Sequence, residues 1–331
     1  MNFCTKDMQI TKGENFRLYG RPFYVDGIPA LSWSNSGIEF CADFERFTVY
    51  FGDYVSEMPV YVKIYVDGKE FKHAVSGKNN AAVLEGFKNT PHTVKILRIS
   101  EGDVLLTVRF IRIFGSHAEF LPLPKENKRL KLEFLGDSIT CGYGVDDNDP
   151  EHHFSTATED ETASYAYLTA QSLDADYSMV SYSGYGIISG YTETDEKRLT
   201  ELVPDKYEDT GYSRGKVDGV AVTLQKWDFD RFCPDFVVIN LGTNDDSYCK
   251  DIAQRQEEYA ACYAQFIQQV HSHNPGAYIL CVYGIMTDRL YPYVQKAVEL
   301  YRQQGMSALL HCILNLIPMK QATAQTGIQV S

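Results

Sequence analysis

The amino-acid sequence predicts an α/β protein in which an antiparallel β-sandwich precedes a domain built on a parallel sheet. The chain has 331 residues, which is more than a single hydrophobic core usually serves. Its pattern also changes near residue 125, where short β-rich segments give way to apolar strands alternating with helices. We therefore predict a β-sandwich domain over residues 1–120, a linker over 121–130 and an α/β domain over 131–331.

Strand-like segments without long amphipathic helices make up the first 120 residues. The stretch from Pro59 to Gly68 alternates apolar and polar residues and ends in Asp67-Gly68, a strong signal for a hairpin turn. Two prolines and several charges from Leu121 onward predict the linker. β-branched and aromatic residues dominate three further segments, Phe47–Phe51, Thr93–Ile99 and Leu105–Phe114.

Four strands and three helices are predicted in the second half. Asp235–Leu241 is an apolar run, as expected of a parallel strand that is covered on both faces. Ile252–Val270 places apolar and aromatic residues on one helical stripe. The remaining predicted elements are the strands Lys131–Leu135, Tyr177–Ser181 and Tyr278–Val282 and the helices Ser164–Leu173 and Tyr291–Gln304.

The composition argues against several classes of function. The 31 Lys and Arg residues against 44 Asp and Glu residues give a formal charge of -13, which disfavours a nucleic-acid or anionic-membrane partner. No apolar run approaches the ~20 residues of a membrane span, and no signal peptide is visible, so we expect a cytoplasmic protein. The eight cysteines show no metal-ligand spacing, and we predict reduced thiols and no metal or other cofactor. The oligomeric state is left open.

Three predicted strand ends carry unusual residues. In parallel sheets, reactive groups collect at the carboxyl ends of the strands. Ser138 lies just after the predicted strand Lys131–Leu135. Gly184 follows the strand Tyr177–Ser181, and Asn244 follows the strand Asp235–Leu241. Each residue also has an ordinary structural explanation: a helix N-cap for Ser138, a turn glycine for Gly184 and an Asx turn for Asn244.

Together, these three residues have the parts of an acyl-transfer site. Ser138 would be the nucleophile. Its own N–H, the N–H of Gly184 and the side-chain amide of Asn244 would hold the oxyanion that forms when an ester carbonyl is attacked. The G-x-S-x-G motif is absent, which separates this arrangement from ordinary α/β-hydrolases.

The same residues resemble a known family. Gly136-Asp-Ser-Ile-Thr, Gly184 and Gly242-Thr-Asn-Asp are similar to the first three blocks of the SGNH (GDSL-type) hydrolases. The sandwich, with Trp227-Asp-Phe-Asp-Arg-Phe-Cys-Pro-Asp ahead of the third block, resembles carbohydrate esterase family two. Members of that family join a jelly-roll domain to a three-layer SGNH domain. The resemblance implies removal of O-acetyl groups from acetyl xylan or related saccharides through an acyl-enzyme on Ser138.

The implied substrate is a small-molecule or oligosaccharide acetyl ester. Its sugar ring would stack on aromatic side chains, and Tyr185 and Trp227 are the candidates for that platform. The alternative is that both residues belong to the hydrophobic core.

The histidine that should act as the general base is missing. In the family it lies near the C-terminus, in a stretch resembling Asp-Gly-x-x-Ala-Asp-Trp-His-Pro, and it takes the proton of the serine. Here the residues from Met306 onward contain one charged residue, Lys320. His311 is the nearest histidine, but it falls where a final buried strand is expected. We assign no histidine of the chain to catalysis.

A shifted reading frame would account for this tail. Gln325-Thr-Gly-Ile-Gln can be encoded so that the same nucleotides, read from the third base, give Asp-Trp-His-Pro. We interpret the tail as the product of such a shift. The alternative is a lineage with a degenerate tail, and the protein would then be a catalytically impaired carbohydrate-binding protein that lacks the general base.

Overall fold

The computed structural model of the chain describes residues 4–10, 15–52, 58–102, 105–125, 130–149, 151–212, 216–217, 220–221, 225–303 and 314–316. The statements below concern these residues.

Within them, the first sheet contains ten strands that pair antiparallel. The strands are β1 (Cys4–Gln9), β2 (Phe16–Tyr19), β3 (Phe23–Val25), β4 (Ile28–Leu31), β5 (Gly37–Phe51), β6 (Val60–Val66), β7 (Lys69–Val75), β8 (Ala81–Arg98), β9 (Leu106–Gly115) and β10 (Glu119–Leu121). Their order is β3-β4-β9-β5-β8-β6-β7, with β1 paired to β9 and with β2 and β10 paired to β5.

The two longest strands, β5 and β8, bend this sheet around a core. Their register shifts between Phe44 and Arg46, and such bulges bend a strand and increase its twist. Alternation then decides which side chains are buried: along β6, buried and half-buried residues alternate at every position. The turn between β6 and β7 is the predicted Asp67-Gly68, and both residues have positive φ, as a tight hairpin turn requires.

The second sheet contains five parallel strands within the described part of the chain. They are β11 (Lys131–Gly136), β12 (Asp176–Ser181), β15 (Phe236–Asn240), β16 (Tyr278–Gly284) and β17 (Leu314–Leu316), in the order β12-β11-β15-β16-β17. A separate two-stranded hairpin is formed by β13 (Lys216–Val217) and β14 (Val220–Ala221). The helices are α1 (Ser138–Cys141), α2 (Tyr165–Ser172), α3 (Val203–Lys206), α4 (Thr243–Cys249), α5 (Ala253–His273) and α6 (Tyr291–Gln303).

Helices cover both faces of the parallel sheet. Successive residues of a strand point to opposite faces, so Phe134 of β11 packs with α2 and with sandwich residues such as Leu97. Leu135, the next residue, packs into the larger core that contains α5 and α6. The result is the three-layer arrangement implied by the resemblance, with the sandwich against one side of it.

Two ion pairs, one buried and one partly buried, join the sandwich to the α/β domain. Arg21 of the sandwich and Glu133 of β11 pair at 3.0 Å, and both side chains are almost completely buried. Lys63 of β6 pairs with Asp160 at 2.6 Å. Because unpaired buried charges are costly, these contacts fix the sandwich relative to the parallel sheet.

The predicted fold class is confirmed, and each predicted strand and helix corresponds to an element of the structure. The sandwich strands are longer than predicted, since β5 and β8 continue through bulged segments. The helices α3 and α4 and the hairpin β13–β14 were not predicted, whereas α1 begins at Ser138, where a helix start was expected. The division at residues 120 and 130 stays a prediction, and the strands on either side of it end at Leu121 and begin at Lys131. None of the described helices has the length and apolar character needed to cross a membrane.

Candidate active site

Three neighbouring strands deliver the predicted site residues to one edge of the parallel sheet. Gly136, the last residue of β11, is in register with Ser181 of β12 on one side and with Asn240 of β15 on the other. Because the strands are parallel and in register, the segments that follow them leave the sheet at the same level. The prediction that these strands are neighbours is therefore confirmed.

Ser138 is the first residue of α1 and is half-buried. Asp137, not Ser138, caps this helix, because its Oδ1 accepts a hydrogen bond from the N–H of Ile139 at 3.0 Å. The alternative that Ser138 serves as the helix cap is thus wrong. Its hydroxyl group is left for another role.

Gly184 lies in the turn that follows β12. Its φ of 83° belongs to the left-handed region, which glycine adopts without strain. The carbonyl oxygen of Gly184 accepts a hydrogen bond from the N–H of Tyr191 at 2.8 Å, and the N–H of the preceding Ser183 donates to the Glu101 carboxyl group at 2.5 Å. The turn is therefore held from both sides.

Asn244, in the first turn of α4, connects the other two segments. It is 6% exposed. Its Nδ2 donates to the carbonyl oxygen of Tyr185 at 2.8 Å and lies 3.4 Å from Oδ2 of Asp137. Tyr185 directly follows Gly184, and Asp137 directly precedes Ser138. The Asn244 amide group therefore contacts the residue next to Gly184 and the residue next to Ser138. The 3.4 Å contact with Asp137 is long for a hydrogen bond. The amide N–H on that side is therefore the one that could donate a hydrogen bond to a bound ligand.

Asp245 holds the turn after β12 against α4, a role that was not predicted. Its fully buried carboxyl group accepts hydrogen bonds from the N–H groups of Ile187, Ile188 and Ser189 at 2.7 to 3.1 Å. Burial raises the pKa of Asp245 to about 6, although these three N–H groups favour its ionised form. The residue belongs to the Gly242-Thr-Asn-Asp block, so the sequence carried a signal for it.

Burial also raises the pKa of the Asp137 carboxyl group, to about 7. The N–H of Ile139 opposes this shift, whereas the negative charges of Asp245 and Glu101 add to it. The site therefore has a carboxyl group beside the candidate nucleophile that changes charge near neutral pH.

A second buried cluster includes the last residue of α1, Cys141. Glu101, Cys141 and Glu159 have potential ligand atoms within 4.8 Å of one another. The thiol of Cys141 donates to Oε1 of Glu101 at 3.5 Å, and the N–H of Glu101 donates to Oε2 of Glu159 at 2.9 Å. Hydrogen bonds within the group account for these contacts, and we assign no metal to it.

The structure does not expose the two aromatic residues predicted as a sugar platform. Tyr185 is 3% exposed and packs against the rings of Tyr182 and Tyr212. Trp227 is 6% exposed and lies under the guanidinium groups of Arg21 and Arg231. Both are core residues, because their ring faces are covered by other side chains.

Tyr191 is an aromatic residue near the site that the sequence interpretation missed. It is 50% exposed, and its N–H is bonded directly to Gly184. Tyr191 lines a cleft of about 520 Å³ together with Thr192, Thr194 and charged residues up to Arg198. Exposure cannot be read from the sequence, which is why this residue was overlooked.

Several histidines of the described residues are engaged away from the site. Their polar side-chain contacts are His92 with Asp67, His117 with Asp43 and Glu119, His152 with Asp147, His271 with Tyr301, and His273 with Glu208. That none of these histidines is catalytic stays a prediction. His311 and most of the unusual tail lie outside the described residues.

A family model decides the affiliation of the α/β domain. The model of the GDSL-like lipase/acylhydrolase family matches residues 134–310, which is more than half of the chain. The chain belongs to this family. The match begins within β11 and includes Ser138, Gly184 and Asn244, and the predicted resemblance to GDSL-type hydrolases is confirmed.

Relatives with carbohydrate-esterase names are similar to a larger part of the chain. The cellulase/esterase CelE of Acetivibrio thermocellus is 30% identical over 269 residues, which are 78% of this chain and 29% of CelE. An acetylxylan esterase / glucomannan deacetylase of Cellvibrio japonicus is 32% identical over 200 residues, which are 58% of this chain and 49% of that protein. The chain thus spans half or less of the length of these curated relatives.

Solved structures share the two-domain fold. The acetyl xylan esterase Est2A of Butyrivibrio proteoclasticus has a TM-score of 0.82 at 20% identity, covering 94% of this chain and 90% of that one. A family two carbohydrate esterase of Clostridium thermocellum, in complex with cellohexaose, has a TM-score of 0.74 at 26% identity, covering 91% and 88%. The sandwich and the parallel-sheet domain occur together in these esterases.

Proposed function

We propose that this chain is a serine esterase that removes acetyl groups from carbohydrate. The observation that carries the proposal is the position of the Asn244 amide, which contacts Asp137 beside Ser138 and Tyr185 beside Gly184. Three segments that are far apart in the chain meet at this amide, and all three lie within the residues that match the GDSL-like family model.

The proposed chemistry is acyl transfer through Ser138. Its Oγ attacks the acetyl carbonyl carbon, the carbonyl oxygen becomes negatively charged, and the N–H groups of Ser138 and Gly184 and the amide of Asn244 stabilise that charge. The bond between the carbonyl carbon and the sugar oxygen then breaks, and the sugar oxygen takes up the proton that the Ser138 hydroxyl group released. Water hydrolyses the acetyl-enzyme to acetate and free Ser138. Asp245 supports this chemistry by fixing the segment after Gly184, because preorganised donors need not move during the reaction.

Carbohydrate is the proposed substrate class because of what the similar proteins are. Two curated relatives are an acetylxylan esterase / glucomannan deacetylase and a cellulase/esterase, and one similar structure contains cellohexaose. The cleft beside Gly184 is where the sugar part would lie. Its exposed Tyr191 offers a ring for stacking, and threonine and charged groups offer hydrogen bonds to hydroxyls.

Hydrolysis of p-nitrophenyl acetate and acetate release from acetylated xylan test the proposal. The full chain should show activity above that of a Ser138→Ala variant with both substrates. A Ser172→Ala variant is the matched control, because Ser172 lies at the exposed end of α2, where its hydroxyl group donates to the carbonyl oxygen of Leu168. Equal rates for the full chain and the Ser138→Ala variant would contradict the esterase proposal.

A further inference from the structure

We propose that Glu101, which belongs to the sandwich, is a positioning residue of the esterase site in the neighbouring domain. Its carboxyl group holds the Ser183–Gly184 turn against the helix that begins with Ser138. The inference rests on the proposed function, because that function gives the turn its role.

The contacts of Glu101 place it between the two segments that carry the proposed chemistry. Oε1 accepts the N–H of Ser183 at 2.5 Å, and Ser183 directly precedes Gly184. The same oxygen accepts the thiol of Cys141 at 3.5 Å, and Cys141 is the last residue of α1. One oxygen atom of the sandwich therefore contacts both the helix of the nucleophile and the turn of the proposed oxyanion donor.

The surroundings keep this carboxyl group in place. Glu101 is 4% exposed, and its own N–H is bonded to Glu159. The preceding loop is fixed by Arg98, a buried residue that donates to the carbonyl oxygens of Ser100, Leu31 and Gly102. These hydrogen bonds hold the loop in one conformation, and the loop in turn fixes the position of the Glu101 side chain.

Glu159 is a second buried carboxyl group next to Glu101, and its Oε2 accepts the backbone N–H of Glu101 at 2.9 Å. Burial raises the pKa of Glu159 well above its usual range, and the negative charge of Glu101 adds to this shift. Burial also raises the pKa of Glu101, while the hydrogen bonds from Ser183 and Cys141 oppose that shift. The Glu101 carboxyl group thus functions as an acceptor for groups on two segments of the second domain.

If Glu101 acts by position, the length of its side chain matters more than its charge. Glu101→Asp keeps a carboxyl group in the cluster, but the side chain is shorter by one methylene group, so the carboxyl group lies farther from the N–H of Ser183. Glu101→Gln loses the charge but keeps an oxygen at the original distance. We expect Glu101→Asp to lower kcat for p-nitrophenyl acetate by about 10- to 100-fold with little change in KM, and Glu101→Gln to stay within about 3-fold of the parent chain.

A second measurement separates positioning from activity. Hydrogen exchange at residues 182–190 should become faster in Glu101→Asp and stay at the parent rate in Glu101→Gln. Glu39→Asp and Glu39→Gln are the matched controls, because Glu39 is a buried sandwich carboxyl group whose side chain contacts Arg17 and Tyr19. Both control variants should leave kcat and this exchange unchanged.

Two results would overturn the inference: unchanged kcat and exchange in Glu101→Asp, or a loss in Glu101→Gln as large as that in Glu101→Asp. If the parent chain has no esterase activity, the proposed function fails. The exchange measurement then decides by itself whether Glu101 holds the turn.

Discussion

The side-chain amide of Asn244 donates a hydrogen bond to the carbonyl oxygen of Tyr185 at 2.8 Å. This contact joins the start of α4 to the turn after β12, two segments separated by about sixty residues of sequence. It also fixes one of the two N–H groups of the amide and leaves the other beside Asp137 and the start of α1.

Replacing Asn244 should therefore impair the reaction more than the fold. We expect Asn244→Ala to lower kcat for acetyl esters by about 10²- to 10³-fold, the usual loss when one oxyanion donor is removed. Asn274 is a matched control, because it is equally buried and its amide bonds to Tyr207 and to the carbonyl of Val270, away from the site. Asn274→Ala should lower the melting temperature and leave kcat unchanged. If Asn244→Ala lowers the melting temperature but leaves kcat unchanged, Asn244 is not an oxyanion donor.

The stability of the chain should depend on pH through Asp137. Its folded-state pKa is raised by burial from 3.8 to about 7. Between these two values the folded chain keeps a proton that the unfolded chain has lost. The free energy of unfolding contributed by Asp137 thus falls as the pH rises from about 4 to 7, by up to about 4 kcal/mol, and is constant above 7.

Urea unfolding at pH 5 and pH 8 measures this dependence. The difference between the two pH values should be smaller in Asp137→Asn, since the neutral amide does not titrate. Asp205→Asn replaces an exposed aspartate of α3 and should keep the parent difference. A parent chain that is more stable at pH 8 than at pH 5 would contradict the assignment.

The buried pair of Arg21 and Glu133 should be important for joining the two sheets. Arg21→Ala would leave Glu133 buried without its cation, and we expect a loss of about 3–5 kcal/mol of unfolding free energy. The double variant Arg21→Met/Glu133→Leu should recover much of this loss, because it removes both charges. Arg112→Ala, which breaks an exposed pair with Asp7, should unfold close to the parent chain. Equal losses at the two arginines would be inconsistent with this account.

We propose that a frameshift explains the missing general base, and the gene itself tests this. The nucleotides overlapping Gln325-Thr-Gly-Ile-Gln should contain Asp-Trp-His-Pro codons in a shifted frame. A chain restored to that frame should gain at least about 10³-fold in kcat/KM, because an intact catalytic group is worth at least that much in serine hydrolases. Replacing the restored histidine by alanine should remove the gain. A gene without these codons would leave the degenerate tail as the explanation.

The fold and much of the site were predictable because both depend on local sequence patterns. The alternation along Val60–Val66 and the apolar run at Phe236–Asn240 indicated strands of two different kinds. Gly136-Asp-Ser and Gly242-Thr-Asn-Asp marked the ends of parallel strands. Since such ends meet at one edge of a sheet, their proximity followed from the predicted topology.

Other features depended on contacts between distant segments. Trp227 and Tyr185 were considered for a sugar platform because their residue types suit it, yet both are buried under other side chains, whereas Tyr191 is exposed. Nothing near Glu101 in the sequence indicates that its carboxyl group reaches Ser183 in another domain. Asp245 lay inside a recognised block, but its three backbone partners are almost sixty residues away.

The sequence by itself determined the order of strands and helices, the serine, glycine and asparagine at three strand ends, and the absence of a recognisable histidine block. Tertiary structure alone decided which side chains are covered, which carboxyl groups have a pKa raised by burial and which domain supports the turn at Gly184. The physical reason is that periodicity and turn residues act over a few positions of the chain. Burial, pKa shifts and hydrogen bonds such as that from Ser183 to Glu101 arise only when segments that are distant in the chain come together.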